Sequence, residues 1–303
     1  MDLQTLSLNL GLGQGLPMLV LIAIVIGLLV KMATFGVHIW LPYAHAEAPT
    51  PVSALLSPNL IGISGYALIR IAHTLFPTQF GDISIYLLIL AFVTMIYGGL
   101  MALAQDDFKR MLAYSSISQM GWILLGISTL TGDGITGAML LFLSHAFGKS
   151  ILFMTAGVLI VRFKGLRSIS KMGGLVSKVP KTAGLALLGF MFLVGIPPTL
   201  GLWSKILIII GVFNMPGAMN LIPFILLALG LIVAAGLTAT YSFVTLKRVF
   251  LGGLSRGLKK MGVSSRWSSM TAVMGIIALV GVAFFFYPSF IINPLKDFIL
   301  ALI

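Results

Sequence analysis

Long apolar windows with almost no charge constrain this chain more than any other feature. Several stretches of about 20 residues, such as the one containing "LVLIAIVIGLLV", are long enough to cross a hydrocarbon core as helices. Only 9% of the 303 residues are charged, too few to cover the surface of a soluble protein of this length. Outer-membrane barrels use short alternating segments, whereas these runs are unbroken. The predicted fold class is all-α polytopic membrane protein, with about eight transmembrane helices. The predicted spans are 16–36, 52–75, 83–103, 110–129, 135–161, 182–209, 219–247 and 268–290. The tail "NPLKDFILALI" lies in the interface or begins a ninth, partial span. Residues 1–15 read as a polar, glycine-containing lead, and the charged start of a cleavable signal peptide is missing.

The net charge of +12 is distributed by side. Connections on one side carry Lys109, Arg110, Arg162, Lys164, Arg167, Lys171, Lys178, Lys181, Lys247, Arg248, Arg256, Lys259, Lys260 and Arg266. The opposite connections carry Asp82, Asp133 and little that is basic beyond Arg70. The positive-inside rule puts the basic loops in the cytoplasm and the N-terminus outside, in the cell membrane of a prokaryote. Orientation, with contact to anionic lipid headgroups, accounts for the charge without any nucleic-acid partner. Cysteine is absent, which removes disulfides, iron–sulfur ligation and thiol catalysis from this chain. There is no glycine-rich nucleotide loop, no HExxH and no nucleophile elbow, so no catalytic, cofactor or metal residues are assigned.

Ionisable residues inside spans are costly and usually face protein or water. Four stand out: Lys31, His145, Lys149 and Lys205. Lys31 is well inside its span if that helix runs toward Trp40, and snorkels to the surface if it stops sooner. His145 and Lys149 share a helix face through their i,i+4 spacing. They are either a proton-exchanging pair or a structural polar pair. Lys205 follows "VGIPPTLGLWSK", where Pro197, Pro198 and Gly201 interrupt the helix. A break at membrane depth must be buried or line a cavity, and such breaks are common in ion-coupled transporters. Lys31 repeats the design, with a break at Pro42 and the next span opening at Pro49 and Pro51. His38, His45 and Glu47 read as polar supports near the first break, and His38 and His45 not as metal ligands. Asp106 and Asp107 suit the positive end of a helix dipole. Ser115, Ser116, Ser118 and Gln119, on the helix that follows, line a proton path or satisfy one another.

Four motifs in series carry a resemblance: "KMATFGVHIWLPYAHAEAPTPVSALL", "AQDDFKRMLAYSSISQMG", "HAFGKSILFMTAG" and "GIPPTLGLWSK". Together they resemble the antiporter-like membrane subunits of respiratory complex I, of multi-subunit cation/proton antiporters and of energy-converting hydrogenases. The resemblance runs from about Lys31 to Arg248. It implies a fold with two discontinuous helices, corresponding to the C-terminal part of the family fold. Residues 1–82 would be a remnant of a first repeat, 83–249 a complete second repeat, and 250–303 a C-terminal helix and tail. It also implies that Lys31 is the central lysine of the first broken helix, that His145 and Lys149 link two half-channels, and that Lys205 stands near the exit. Ser57 occupies a position where the family often has histidine or lysine, and "LLSPNLIG" is closer to the hydrogenase-type and antiporter branches.

The resemblance further implies an H⁺-translocating subunit of a redox-driven complex, with no bond chemistry on this chain. The alternatives are a subunit of a stand-alone Na⁺/H⁺ antiporter and a structural membrane subunit with an incomplete ion path. Fe–S clusters, with NiFe or flavin centres, belong to the redox subunits expected on the cytoplasmic side. Most of a first repeat is missing, including the glutamate that usually pairs with the central lysine. A separate membrane subunit is therefore expected to supply that half and its carboxylate, with lipid as the other partner.

Overall fold

A computed structural model describes residues 16–216, 218, 220–254, 256–259, 261 and 269–300. The lead at 1–15, Lys260, Arg266 and the last three residues of the tail lie outside the described residues. The elements are α1 (Leu16–Met32), α2 (Trp40–Glu47), α3 (Thr50–His73), α4 (Pro77–Ala104), α5 (Phe108–Ser128) and α6 (Gly132–Arg162). They continue as α7 (Pro180–Val194), α8 (Leu200–Phe213), α9 (Leu221–Phe250), the short α10 (Arg256–Lys259), α11 (Ser269–Phe286) and α12 (Ser289–Leu300).

Against the eight expected spans, five helices among the described residues are long and apolar enough to cross a membrane: α3, α4, α6, α9 and α11. The other three expectations fail for different physical reasons. The span expected at 16–36 stops at Met32, because Ala33 turns to a positive φ of 57°. The span expected at 110–129 is a helix, but its serines and Gln119 lower its hydropathy below that of the five. The span expected at 182–209 is two helices of 15 and 14 residues separated by Gly195–Thr199. The tail is helical as α12, and Lys296 on it pairs with Asp133 of α6 at 3.0 Å.

The helices pack as a bundle around α5 and α6, and the polar α5 is the buried one. Every α5 residue except Arg110 and Tyr114 is buried. By contrast, α9 presents Leu221, Ile222, Leu226 and Ile232 outward, each at least 65% exposed. Apolar surface turned outward and polar surface turned inward is the arrangement lipid selects, since lipid tails give no drive to bury leucine. The α4–α5 crossing is close because it runs through small residues. A Cβ on Gly98 would lie 2.5 Å from the Ser118 backbone nitrogen, and one on Gly121 would lie 2.7 Å from that of Met95. The Ser118 hydroxyl fastens the same crossing by donating to the Met95 carbonyl at 3.0 Å.

Helix α3 widens into π turns at Leu56–Leu60 and Leu68–His73. Pro58, which has no N–H to donate, lies in the first of them. Asp107 starts α5 by accepting from the backbone N–H groups of Lys109 and Arg110 at 2.9 and 3.0 Å. It also pairs with Arg167 at 2.7 Å, which ties the α4–α5 turn to the loop after α6. Beside it, Asp106 accepts from the Ser168 hydroxyl at 2.6 Å and from the Ser170 backbone at 2.7 Å. These donors, the Ser168 hydroxyl foremost, hold the Asp106 carboxyl below the usual carboxylate range.

Candidate functional site

The polar groups of α5 recur at helical spacing. Lys109, Leu112 through its carbonyl, Ser116, Gln119 and Trp122 fall three or four residues apart and share one face. Each contacts a different neighbouring element. Lys109 Nζ donates to the Ala48 carbonyl at 2.5 Å, just beyond the end of α2. The Ser116 and Ser57 hydroxyls hydrogen-bond at 2.8 Å, joining α5 to the first π turn of α3. Gln119 Nε2 donates to the Tyr241 hydroxyl of α9 at 3.0 Å. Trp122 lies 4.9 Å beneath the Lys205 ammonium, measured to the ring centroid.

Lys149 meets the middle of this stripe. Its ammonium donates to the Leu112 carbonyl at 2.6 Å and to the Ser115 hydroxyl, and the side chain is fully buried. His145, one turn away on α6, is also fully buried, and neither ring nitrogen has a hydrogen-bond partner among the described residues. His45 has the same character: zero exposure, two unpartnered ring nitrogens, and a ring stacked on Phe153 at 4.7 Å. Phe153 is one turn beyond Lys149 on α6, so the stacked His45 ring lies along the α6 face that carries His145 and Lys149. His45, Lys149 and His145 therefore form one buried cluster on the α5 stripe.

Lys205 stands apart, at the second break. Helix α7 ends at Val194, where Gly195 takes a φ of 83° and its N–H returns to the Met191 carbonyl. The last two carbonyls of α7, on Leu193 and Val194, each accept from Lys205 Nζ at 2.9 Å. An ammonium there satisfies two orphan acceptors and sits at the negative end of the helix dipole. Pro197 and Pro198, joined by a cis peptide, occupy the gap. Gly201, expected in the break, is the second residue of α8. Its lack of a side chain serves packing there, since a Cβ would lie 2.3 Å from the Phe192 carbonyl.

At the first break, the interruption is not at Pro42, where it was expected. Lys31 is exposed on the flank of α1 and joins neither the α5 stripe nor the His45 cluster. Pro42 lies inside α2, in its first turn, where a missing N–H costs nothing. The break itself is Ala33–Ile39, shaped by positive φ at Ala33 and Gly36. His38 packs there against Phe35 and Tyr97, and its Nε2 pairs with the Tyr97 hydroxyl at 3.0 Å. Glu47 is exposed and acts on Lys109 through its charge. Lys109 reads in the sequence as one of the basic residues of a cytoplasmic helix start, and its burial is missed there. It is 3% exposed, and its place on the same helix face as Ser116 and Gln119 was the available signal.

Neither Lys149 nor Lys205 forms a salt bridge with a carboxylate among the described residues. Cationic side chains placed in this way, held by carbonyls and hydroxyls inside an apolar bundle, define a membrane protein built to hold charge in its interior. The sequence comparison gives the family. Residues 1–231 match the family described as NADH:quinone oxidoreductase/Mrp antiporter, TM, and the chain belongs to it. Over 273 residues it is 34% identical to the NADH-quinone oxidoreductase subunit M of Rickettsia bellii, covering 89% of this chain and 53% of that one. It is 36% identical over 274 residues to the F(420)H(2) dehydrogenase subunit M of Methanosarcina mazei, covering 89% and 52%. Its fold superposes on a chain of respiratory complex I from Thermus thermophilus with a TM-score of 0.82 and 26% identity, over 96% of this chain and 60% of that one. The chain spans about half the length of the curated relatives it matches.

Proposed function

We propose that this chain is an ion-translocating membrane subunit of a multi-subunit, redox-driven complex, and that the ion is H⁺. The observation that carries the reading is the interior polar stripe of α5, with fully buried Lys149 bound to it and Lys205 reached at its Trp122 end. Lysines in such surroundings exchange protons when neighbouring charges or dipoles move, which is what coupling to a distant redox reaction requires. Protons would pass between Lys149 and Lys205, with His145 beside Lys149 as the intermediate group. Release would follow when the Leu193 and Val194 carbonyls part from the Lys205 ammonium. Redox coupling is favoured over stand-alone antiport by the names of the two relatives, a quinone oxidoreductase subunit and an F(420)H(2) dehydrogenase subunit.

In this reading the basic loops face the cytoplasm, where redox subunits carrying the electron-transfer centres dock. The exposed ammonium of Lys31, on the flank of α1, supports contact with a carboxylate of a neighbouring membrane subunit. The test is proton translocation per electron in vesicles containing the assembled complex, with Lys149→Ala and Lys205→Ala made singly. Each is expected to lower translocation at least about a hundredfold, the lower end of what a positioned proton-transfer group contributes. Wild-type coupling in both variants would overturn the reading.

A further inference from the structure

We infer that His45 carries protons between the cytoplasmic surface and Lys149, with Lys109 at the outer end of that arm; the inference rests on the function proposed above. Three helices close around this residue. On α5, Lys109 and Leu112 are one turn apart, about 4.5 Å along the axis. The first bonds to the Ala48 carbonyl and the second accepts from the Lys149 ammonium. On α6, Lys149 and Phe153 are one turn apart, and Phe153 is the ring on which His45 stacks. Within the first connection, His45 precedes Ala48 by one turn at the end of α2. His45 therefore lies beside the interval between the two ammonium groups, one at the basic end of α5 and one at mid-helix.

The chemistry of the position fits a carrier better than a spacer. A fully buried imidazole with both nitrogens unpartnered costs free energy, and phenylalanine would give the same stacking without that cost. Imidazole can take a proton on one nitrogen and release the proton on the other. Here a neutral His45 gains one proton from the cytoplasmic side and passes its other N–H proton, through intervening water, to a neutral Lys149 amine. Lys149 becomes an ammonium and His45 returns to neutrality in the opposite tautomer, so one proton enters for each one delivered. The charged groups facing this arm are Lys149 and His145 on α6, Lys109 and Asp107 at the start of α5, Glu47 on α2, and Arg167 from the loop after α6. The two carboxylates near Lys109 offset its positive charge at the mouth, while no carboxylate stands beside Lys149 among the described residues.

The experiment compares His45→Gln, His45→Phe and Lys149→Ala in the assembled complex, measuring proton translocation per electron and the yield of intact complex. Glutamine keeps hydrogen-bonding capacity and phenylalanine keeps the stack, but neither carries a proton. Both His45 variants are expected to assemble and to lose translocation at least about a hundredfold. If either one keeps wild-type translocation while Lys149→Ala abolishes it, the His45 arm is wrong and the function proposed above stands. If Lys149→Ala also translocates normally, the failure lies in that function itself.

Discussion

The two interruptions in the bundle solve one backbone problem with different chemistry. At Ala33–Ile39 and at Gly195–Thr199, a half-helix ends and leaves carbonyls without intrahelical donors. In both, a side chain from beyond the gap reaches back to them. At the first break Trp40 Nε1 donates to the Val30 carbonyl at 2.9 Å, in an exposed setting. At the second, Lys205 donates to the Leu193 and Val194 carbonyls, with little exposure. A neutral indole can only cap. An ammonium caps and also places a charge whose free energy depends on where those carbonyls point. The second break thus links backbone geometry to the placement of a buried charge, and the first does not. The lysines follow the same division: Lys31 precedes its break and is exposed, while Lys205 follows its break and is buried.

The largest expected effect is at Lys205. Lys205→Met keeps the length of the side chain and removes the donor, leaving two buried carbonyls unsatisfied. Thermal unfolding of the purified chain in detergent should show a loss of about 1–3 kcal/mol for each acceptor left without a donor. Trp40→Phe removes one exposed hydrogen bond and should cost only about 0.5–1.5 kcal/mol in the same assay. Equal losses for the two variants would break the comparison, because the burial difference would then have no energetic consequence.

How much of this was legible follows from the residues themselves. The family and the all-α membrane class rest on motifs and apolar windows, and residues 1–231 bear the family out. The shared face of His145 and Lys149 was legible because i,i+4 spacing on one long helix leaves no freedom. The fate of Lys31 was not, because α1 is apolar on every side and no periodicity says which face meets protein. Lys109 was misread because a lysine after two aspartates at a helix start looks like a solvated turn. Only the approach of α2, through Ala48, puts it inside. The same tertiary contact brings His45 to Lys149 from more than 100 positions away. Neither π turn of α3 announces itself, since Pro58 marks a local donor loss but not how the helix absorbs it.

Lys31 gives the smallest effect on the chain and the sharpest use of the comparison. It stands in the last turn of α1, where a cation interacts favourably with the helix dipole by about 0.3–1 kcal/mol. It is exposed, so its removal leaves no buried acceptor behind. Lys31→Met should therefore change the unfolding free energy of the purified chain by no more than about 1 kcal/mol, well below Lys205→Met. In the proposed reading, where Lys31 meets a carboxylate of a neighbouring membrane subunit, the same substitution should lower proton translocation in the assembled complex. A loss in the purified chain as large as that of Lys205→Met would mean that Lys31 is bonded within this chain. The two breaks would then be equivalent, and the distinction between a break that only caps and a break that holds an ion would fall.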